Sequence, residues 1–483
     1  MEQNEVTKKE YQGDDKLLLG MVLGVITFWL FAQTTLNIAP TMRTDMGINV
    51  NSMNIAVSIT ALFSGIFIVV FGGLSDRFGR IKTTKLGLIL SMLGSLLIAA
   101  SPKGTAFFLM SGRIIQGLSA ACIMPSTLAL IKAYYIGAAR QRAVSFWSIG
   151  SWGGSGLCSL FGGILASTVG WRWIFWISIG VAIISYMLIR GTPESKNPPS
   201  DKNKNFDYSG VLSFMVGMVA LNIVIGQGSR IGWSSPVILG LIILAVLALI
   251  IFFIIEKRSK NSFIDFNLFS NKTYTGATIS NFLLNGAAGT LIVALTLVQL
   301  GAGLTSFQAG LLTIGYLVAI LLTIRVGEKL LQKWGARKPM ILGCLITGTG
   351  ILMTSFTFIL ARQYMVIAVI GFTLFGIGLG FYATPSTDAA LSTVPAEKAG
   401  SASGIYKMAS SLGTAFGVAI SASIFTGLSN GSVRFSGSFF WGRTDNILIR
   451  YGAAIALLYN LGMVIVAIIS IMTTVPAGKP DTK

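Results

Sequence analysis

There is no histidine among the 483 residues of this chain. That absence removes imidazole general bases, serine–histidine triads and histidine-ligated metals in one step, so an enzyme is not expected. Cysteine is almost as scarce. Cys122, Cys158 and Cys344 fall in separate apolar runs with no ligand spacing, which argues against disulfides and thiolate metal sites. No metal or cofactor is expected. Charge is thin as well: charged side chains make up 11% of the chain, where soluble domains carry about a quarter. With a mean hydropathy of +0.75, the composition is that of an integral membrane protein. The first sixteen residues mix acids and bases around no apolar core, so no cleavable signal peptide is expected and the run from Leu17 stays as a span.

What is present is a series of apolar runs of spanning length, at 17–40, 52–73, 83–101, 105–131, 143–166, 172–191, 209–228, 236–255, 276–299, 306–325, 340–360, 365–391, 403–427 and 450–473. Polar, basic linkers at 192–208 and 256–275 divide these fourteen into six, two and six. The expected organisation is a cytoplasmic tail (1–16), an N-terminal six-helix half (17–191), an inserted helix pair (209–255), a C-terminal six-helix half (276–473) and a short tail (474–483). The net charge of +19 would suggest nucleic acid in a soluble chain. Here topology accounts for it. With the N-terminus inside and residues at span ends counted with the adjoining segment, 26 of the 36 Lys and Arg fall on inner segments, eight on outer ones, and two, Arg113 and Lys407, well within spans. That asymmetry places both termini in the cytoplasm and argues against a nucleic-acid partner.

An internal repeat supports the division. Gly79, Gly87 and Gly94 recur as Gly335, Gly343 and Gly350 at a constant offset of 256. Gly112, Gly117 and Pro125-Ser126 recur as Gly371, Gly376 and Pro385-Ser386 at offsets of 259 and 260. Spans 3 and 4 thus echo spans 11 and 12, and the inserted pair has no repeat partner. In the outer loop 428–449, Val433, Phe435, Phe439 and Trp441 alternate with Arg434, Ser436, Ser438 and Phe440. Period two fits a short hairpin; an irregular aromatic loop at the interface fits equally.

The stretch Gly72 to Lys82 is a charged loop between two apolar runs. Its glycines permit tight turns at helix ends, Asp76 is a carboxylate where a span stops, and Arg77, Arg80 and Lys82 suit a cytoplasmic face. A loop that only orients the chain would need the cations but not this Gly and Asp spacing. The pattern G-x-L-x-D-R-x-G-R resembles the loop between helices 2 and 3 of the major facilitator superfamily. Arg113-Ile-Ile-Gln116-Gly117 matches the R-x-x-Q-G pattern of drug:proton antiporters, and Gly170-Trp-Arg-Trp-Ile-Phe-Trp176 resembles the W-R-W-I-F signature of the fourteen-span branch. Asp207-Tyr208-x-Gly210 fits that branch too. Residues 23–33 and 148–163 are similar to the Nor-type quinolone exporters of Gram-positive cocci. The resemblance implies an all-α integral membrane protein of the major facilitator fold, fourteen spans in two six-helix halves plus two inserted helices, with substrate bound at mid-membrane between the halves. It also implies a gating role for Gly72, Asp76, Arg77, Gly79 and Arg80, and a part for Arg113 in proton coupling. Three departures stand out. Gln33 occupies the position of a span-1 acid in many relatives, Cys158-Ser159 replaces Gly-Pro in span 5, and Gln332 stands where the second half would repeat Asp76.

An ionisable residue inside a span is costly, about 2.5–3.5 kcal/mol at the centre, and is a functional candidate by default. Of the seventeen acids only Asp388 lies well inside a run. Counted from the inner loop, Asp388 in span 12 and Lys407 in span 13 sit at about the same depth, roughly 9–10 Å. They are expected to face each other and to serve proton coupling. The alternative has Asp388 at a frayed helix end and Lys407 snorkelling to the interface. Arg113 shares a helix face with Gln116; a structural arginine joining spans 1 and 4 is its other reading. Trp29, Gln33 and Asn37 form one stripe on span 1, and Asn281 and Asn285 a similar pair on span 9. With Gln116 they are candidates for a cavity suited to bulky amphipathic molecules; helix–helix adhesion is the alternative for each Asn.

The expected function is proton-coupled efflux of amphipathic drugs across a bacterial plasma membrane by a monomer, fluoroquinolone-like compounds favoured through the resemblance. A tetracycline or lipid exporter of the same fold is the alternative within transport. A ligand-binding sensor that does not transport is the alternative outside it, although no soluble output region of useful size is present.

Overall fold

The structure, a computed structural model, describes residues 11–195, 207–258, 266–304, 306–359, 361–429 and 445–478. The proposed hairpin at 433–441 lies outside them. Among the described residues the chain is all-helical, without a strand. Eleven helices are long and apolar enough to cross a membrane, and one bent pair makes a twelfth.

In chain order the long helices are α1 (Asp15–Met46), α2 (Val50–Phe78), α3 (Arg80–Ala99), α4 (Phe107–Tyr134), the two-part α5 (Gly137–Ser148 and Gly154–Thr168) and α6 (Arg172–Ile189). Then come α7 (Tyr208–Ile231), α8 (Pro236–Arg258), the two-part α9 (Lys272–Gly286 and Gly289–Ala302), α10 (Ile314–Trp334), α11 (Arg337–Thr354), α12 (Ala361–Ser392), α13 (Ala399–Ser429) and α14 (Ile447–Thr474). Every apolar run read from the sequence therefore carries a helix. Asp14, Asn49, Asp207 and Asn271 cap α1, α2, α7 and α9 by accepting backbone N–H groups of the first turn, as helix starts require.

The glycine repeat is legible in the packing. A Cβ on Gly94 would lie 2.8 Å from the Gly112 carbonyl oxygen, and one on Gly350 would lie 2.4 Å from that of Gly371. The first contact joins α3 to α4, the second α11 to α12. Likewise Gly117 abuts the Thr60 carbonyl of α2, and Gly376 that of Tyr316 in α10. Small residues let the backbones touch where lipid supplies no hydrophobic drive. The two halves, α1–α6 and α9–α14, are thus packed alike. They meet along two seams: α13 lies against α2 and α4, and, by the same pseudo-symmetry, α5 lies against α10 and α12. In the pair α7–α8, α7 packs on α2 and α13, outside the first seam, and α8 packs on α7.

The start of α1 and the end of α14 lie at the same end of the bundle. Gly13 N donates to Tyr134 O at 2.9 Å, and Thr273, at the start of α9, reaches Thr474 O at 3.4 Å. This is also the end that carries Asp76.

Candidate functional site: the seam between the halves

The Asp76 carboxylate sits at the last turn of α2 and is 4% exposed. Its Oδ1 accepts from Arg80 Nε and Nη2 at 3.1 and 2.8 Å. It also accepts from the backbone N–H of Gly400 at 2.9 Å, while Oδ2 accepts from that of Ser401 at 3.0 Å. An acid of the N-terminal half therefore closes the exposed N-terminus of α13 in the C-terminal half, where the helix dipole favours negative charge. Gly72 makes the approach possible, because a Cβ there would lie 2.6 Å from the Gly400 carbonyl oxygen. Arg80 continues the link by donating to Ala396 O and, at 3.2 Å, to Ser195 Oγ. Gly79, at φ 116°, ends α2, and the first N–H groups of α3, those of Ile81 and Lys82, donate to Glu194 at 2.9 and 3.0 Å. Arg77 is exposed.

The second seam has its own charged link, which sequence reasoning missed. Arg140 Nε of α5 donates to Asp388 Oδ1 of α12 at 2.9 Å, with side-chain exposures of 14% and 4%. This corrects the expected Asp388–Lys407 pair. Equal depth on neighbouring helices did not make the two residues face each other, because Asp388 points across the seam to α5. Lys407 points from α13 to the same helix, but to another residue: its Nζ lies 4.2 Å from the centroid of the Trp147 ring. Lys132 adds a bond from α4 to Ser392 O at 3.1 Å, and Ser403 of α13 one to Pro125 O of α4 at 2.9 Å. These hydrogen bonds between the halves all lie toward the Asp76 end. That end is closed.

Arg113 is 1% exposed and joins α1, α2 and α4. It donates to Ala32 O at 2.6 Å, Ala56 O at 2.9 Å, Val57 O at 3.3 Å and Gln116 Oε1 at 2.9 Å. The Ala32 carbonyl ends a π-helical turn, Thr27–Ala32, in α1. A second π-helical turn, Ile149–Gly153, lies beside it in α5; such turns are frequent at functional sites. Gln116 is 3% exposed, with its Nε2 3.3 Å from Ser95 Oγ. In this conformation it holds Arg113 inside the N-terminal half. Asn281 and Asn285 are likewise spent on packing. Asn281 donates to Tyr406 O and Ser410 Oγ of α13 at 3.0 and 2.6 Å, and Asn285 donates to Asn281.

The stripe on α1 is different. Trp29 lies against Gly154 of α5, Gln33 is half-buried, and Asn37 is exposed and reaches Cys158 Sγ at 3.4 Å. Among the described residues the indole N–H of Trp29 has no hydrogen-bond partner, so polar capacity remains along this face.

At the opposite end the W-R-W-I-F stretch braces the N-terminal half. Trp171 Nε1 donates to Asp45 at 3.0 Å, and Arg172 pairs with Asp45 and donates to Ser101 O at 3.2 Å. Arg450 does the same in the other half, bonding Thr357 O and Ile359 O and pairing with Asp445 at 2.8 Å. Sequence reasoning missed Arg450; its place at the start of the last span, matching Arg172 in the sixth, was the available signal.

The family model for the Major Facilitator Superfamily matches residues 20–210 and again 208–418. The chain belongs to the Major Facilitator Superfamily. It is 51% identical over 470 residues to Quinolone resistance protein NorB of Staphylococcus aureus strain MRSA252, covering 97% of this chain and 98% of that protein. The NorB of strain MW2 is 52% identical over the same length. Among solved structures, the proton:xylose symporter XylE superposes with a TM-score of 0.63 at 17% identity, covering 96% of each chain. The human organic anion transporter MFSD10 gives a TM-score of 0.61 at 14% identity, covering 95% of this chain and 98% of that one. These two carry the fold. The chain is a multi-pass membrane transporter of this superfamily, not an enzyme.

Proposed function

We propose that this protein exports amphipathic drugs, fluoroquinolone-like compounds foremost, across the bacterial plasma membrane against an inward flow of protons. It works as a monomer with fourteen spans, α7–α8 being an inserted pair. The Asp76 end faces the cytoplasm together with both termini, as the excess of Lys and Arg on that side favours. The observation that carries the reading is the closed seam itself. Two similar halves are held at one end by links that lie wholly between them, as alternating access about a central site requires. The relatedness to NorB supports drug efflux and the quinolone class.

The links suggest how a proton is used. With Asp388 ionised, Arg140 holds α5 to α12 and the cytoplasmic end is closed. A proton arriving from outside neutralises Asp388, frees Arg140 and lets that end open. Release of the proton to the cytoplasm, once drug has bound, restores the pair. Arg113 acts as a fixed charge that ties α1 and α2 to α4, so that opening moves them together. Trp29, Gln33 and Asn37 line the drug's path along α1. Each proton moving inward contributes about 2.3 kcal/mol per 100 mV. Proteoliposomes with an imposed pH gradient, tested over cationic, zwitterionic and neutral drugs, should accumulate drug only when the gradient is present. In Asp388→Asn drug should equilibrate without accumulating. Undiminished accumulation by that variant would remove Asp388 from the coupling.

A further inference from the structure

Lys407 stands out among the buried charges. It is 6% exposed, and among the described residues no carboxylate lies within ion-pair reach. Asp388 is held by Arg140 and Asp76 by Arg80 and α13. Its ammonium is met instead by the Trp147 ring of the other half, at 4.2 Å. That ring is fixed in turn, since Trp147 Nε1 donates to Thr127 Oγ1 at 2.9 Å. One turn below Lys407, Ser403 bonds Pro125 O of α4 at 2.9 Å. The lysine thus lies on the face of α13 that must leave α4 and α5 whenever the Asp76 end opens. Opening takes away Trp147 and uncovers an ammonium group with no internal counter-charge. An ammonium in such a place binds a carboxylate strongly.

We propose that Lys407 binds the carboxylate of an anionic or zwitterionic substrate while the Asp76 end is open, and that Trp147 displaces this carboxylate as the end closes. The proposal rests on the export reading above and names the substrate class it favours. It also supplies a direction. A ligand shifts a conformational equilibrium only through its different affinity for the two states, and here one ammonium has a substrate partner in one state and an aromatic partner in the other. The carboxylate is taken up on the cytoplasmic side and released when the ring returns.

The test is equilibrium binding to the full chain in detergent, by calorimetry, with a fluoroquinolone acid and its ethyl ester as probes. Wild type should bind the acid at least about tenfold more tightly than the ester. In Lys407→Met that ratio should fall to about one, and Lys407→Arg should keep most of it. Trp147→Phe should bind the acid more tightly yet turn over more slowly in proteoliposomes. An unchanged ratio in Lys407→Met overturns the proposal, as does an equal loss of acid and ester. If Lys407→Met fails to fold, Lys407→Gln is read by the same ratio. Binding needs no gradient. A wild type that shows the ratio but no gradient-driven accumulation would therefore sink proton-coupled export and leave the Lys407 assignment standing.

Discussion

Asp76→Asn is the substitution for which the structure gives the fullest expectation. The change is isosteric, so packing is kept and only charge and one acceptor are lost. The Arg80 bonds lie within the N-terminal half and persist in either conformation. The bonds to Gly400 and Ser401, at 2.9 and 3.0 Å, exist only while the Asp76 end is closed. Hydrogen bonds to a charged group contribute about 1.5–3 kcal/mol each. Asparagine keeps one as a neutral bond of about 1 kcal/mol and turns a donor toward the other N–H. The net loss is about 2–5 kcal/mol from the closed state alone. At 1.4 kcal/mol per factor of ten, the open state gains about 30- to 4,000-fold in population. Expression should be unaffected and export abolished. Spin labels at Lys82 and Lys398, both exposed, should report a longer distance across the seam by pulsed electron resonance. Normal drug resistance in cells carrying the variant, or an unchanged distance, would refute the reasoning.

Gln33→Asp places an acid on the α1 stripe and should raise export of divalent cationic dyes relative to zwitterionic drugs; an unchanged ratio in dye-efflux assays would show that Gln33 does not face the drug. Arg140→Leu and Asp388→Asn should each cost about 3–5 kcal/mol as lone charges are stranded, whereas the double variant should recover stability on thermal melting. Asp388→Asn with Lys407→Met should instead be additive within about 0.5 kcal/mol. Arg450→Leu should destabilise more than Arg172→Leu, because side-chain exposure is 6% against 32%; comparison of melting temperatures in detergent decides it. Gly350→Val should cost about 1–3 kcal/mol or more by forcing α11 from α12, with a similar effect of Gly94→Val between α3 and α4.

The fold was largely legible because its determinants are local or periodic. Span length, the offset glycines and the Gly72–Lys82 loop each reflect a constraint that repeats along the chain. Gly94 and Gly350 were visible as a repeat before their contacts with Gly112 and Gly371 were known. The site was less legible. Depth along a helix can be counted, and Asp388 and Lys407 do lie near one level, but the direction of a side chain around the helix depends on neighbours that sequence does not name. Arg140 sits just inside α5 among other cations of the inner surface, and nothing local distinguishes it from them. The π-helical turns at Thr27–Ala32 and Ile149–Gly153 were hidden for a related reason. The first carries a tertiary contact, Arg113 on the Ala32 carbonyl, that comes from a distant part of the chain.

The distribution of buried charge bears on how coupling can work at all. Asp76, Glu256, Glu328 and Asp388 are each buried to 4% exposure or less, and all four lie toward the Asp76 end. Arg113, farther from that end, and Lys407, near the level of Asp388, are met by carbonyl oxygens and an aromatic ring instead of carboxylates. Among the described residues no carboxylate stands at the centre, where unpaired charge is most costly. If export is proton-coupled as proposed, the coupling groups are those that hold the seam, and a proton would act by changing which end is closed rather than by exchanging with drug at one central acid. The glutamine at position 33 fits this arrangement. In the proposed cycle the acid stands on α12 and not on α1, so drug and proton would occupy different places and act through the conformation each favours.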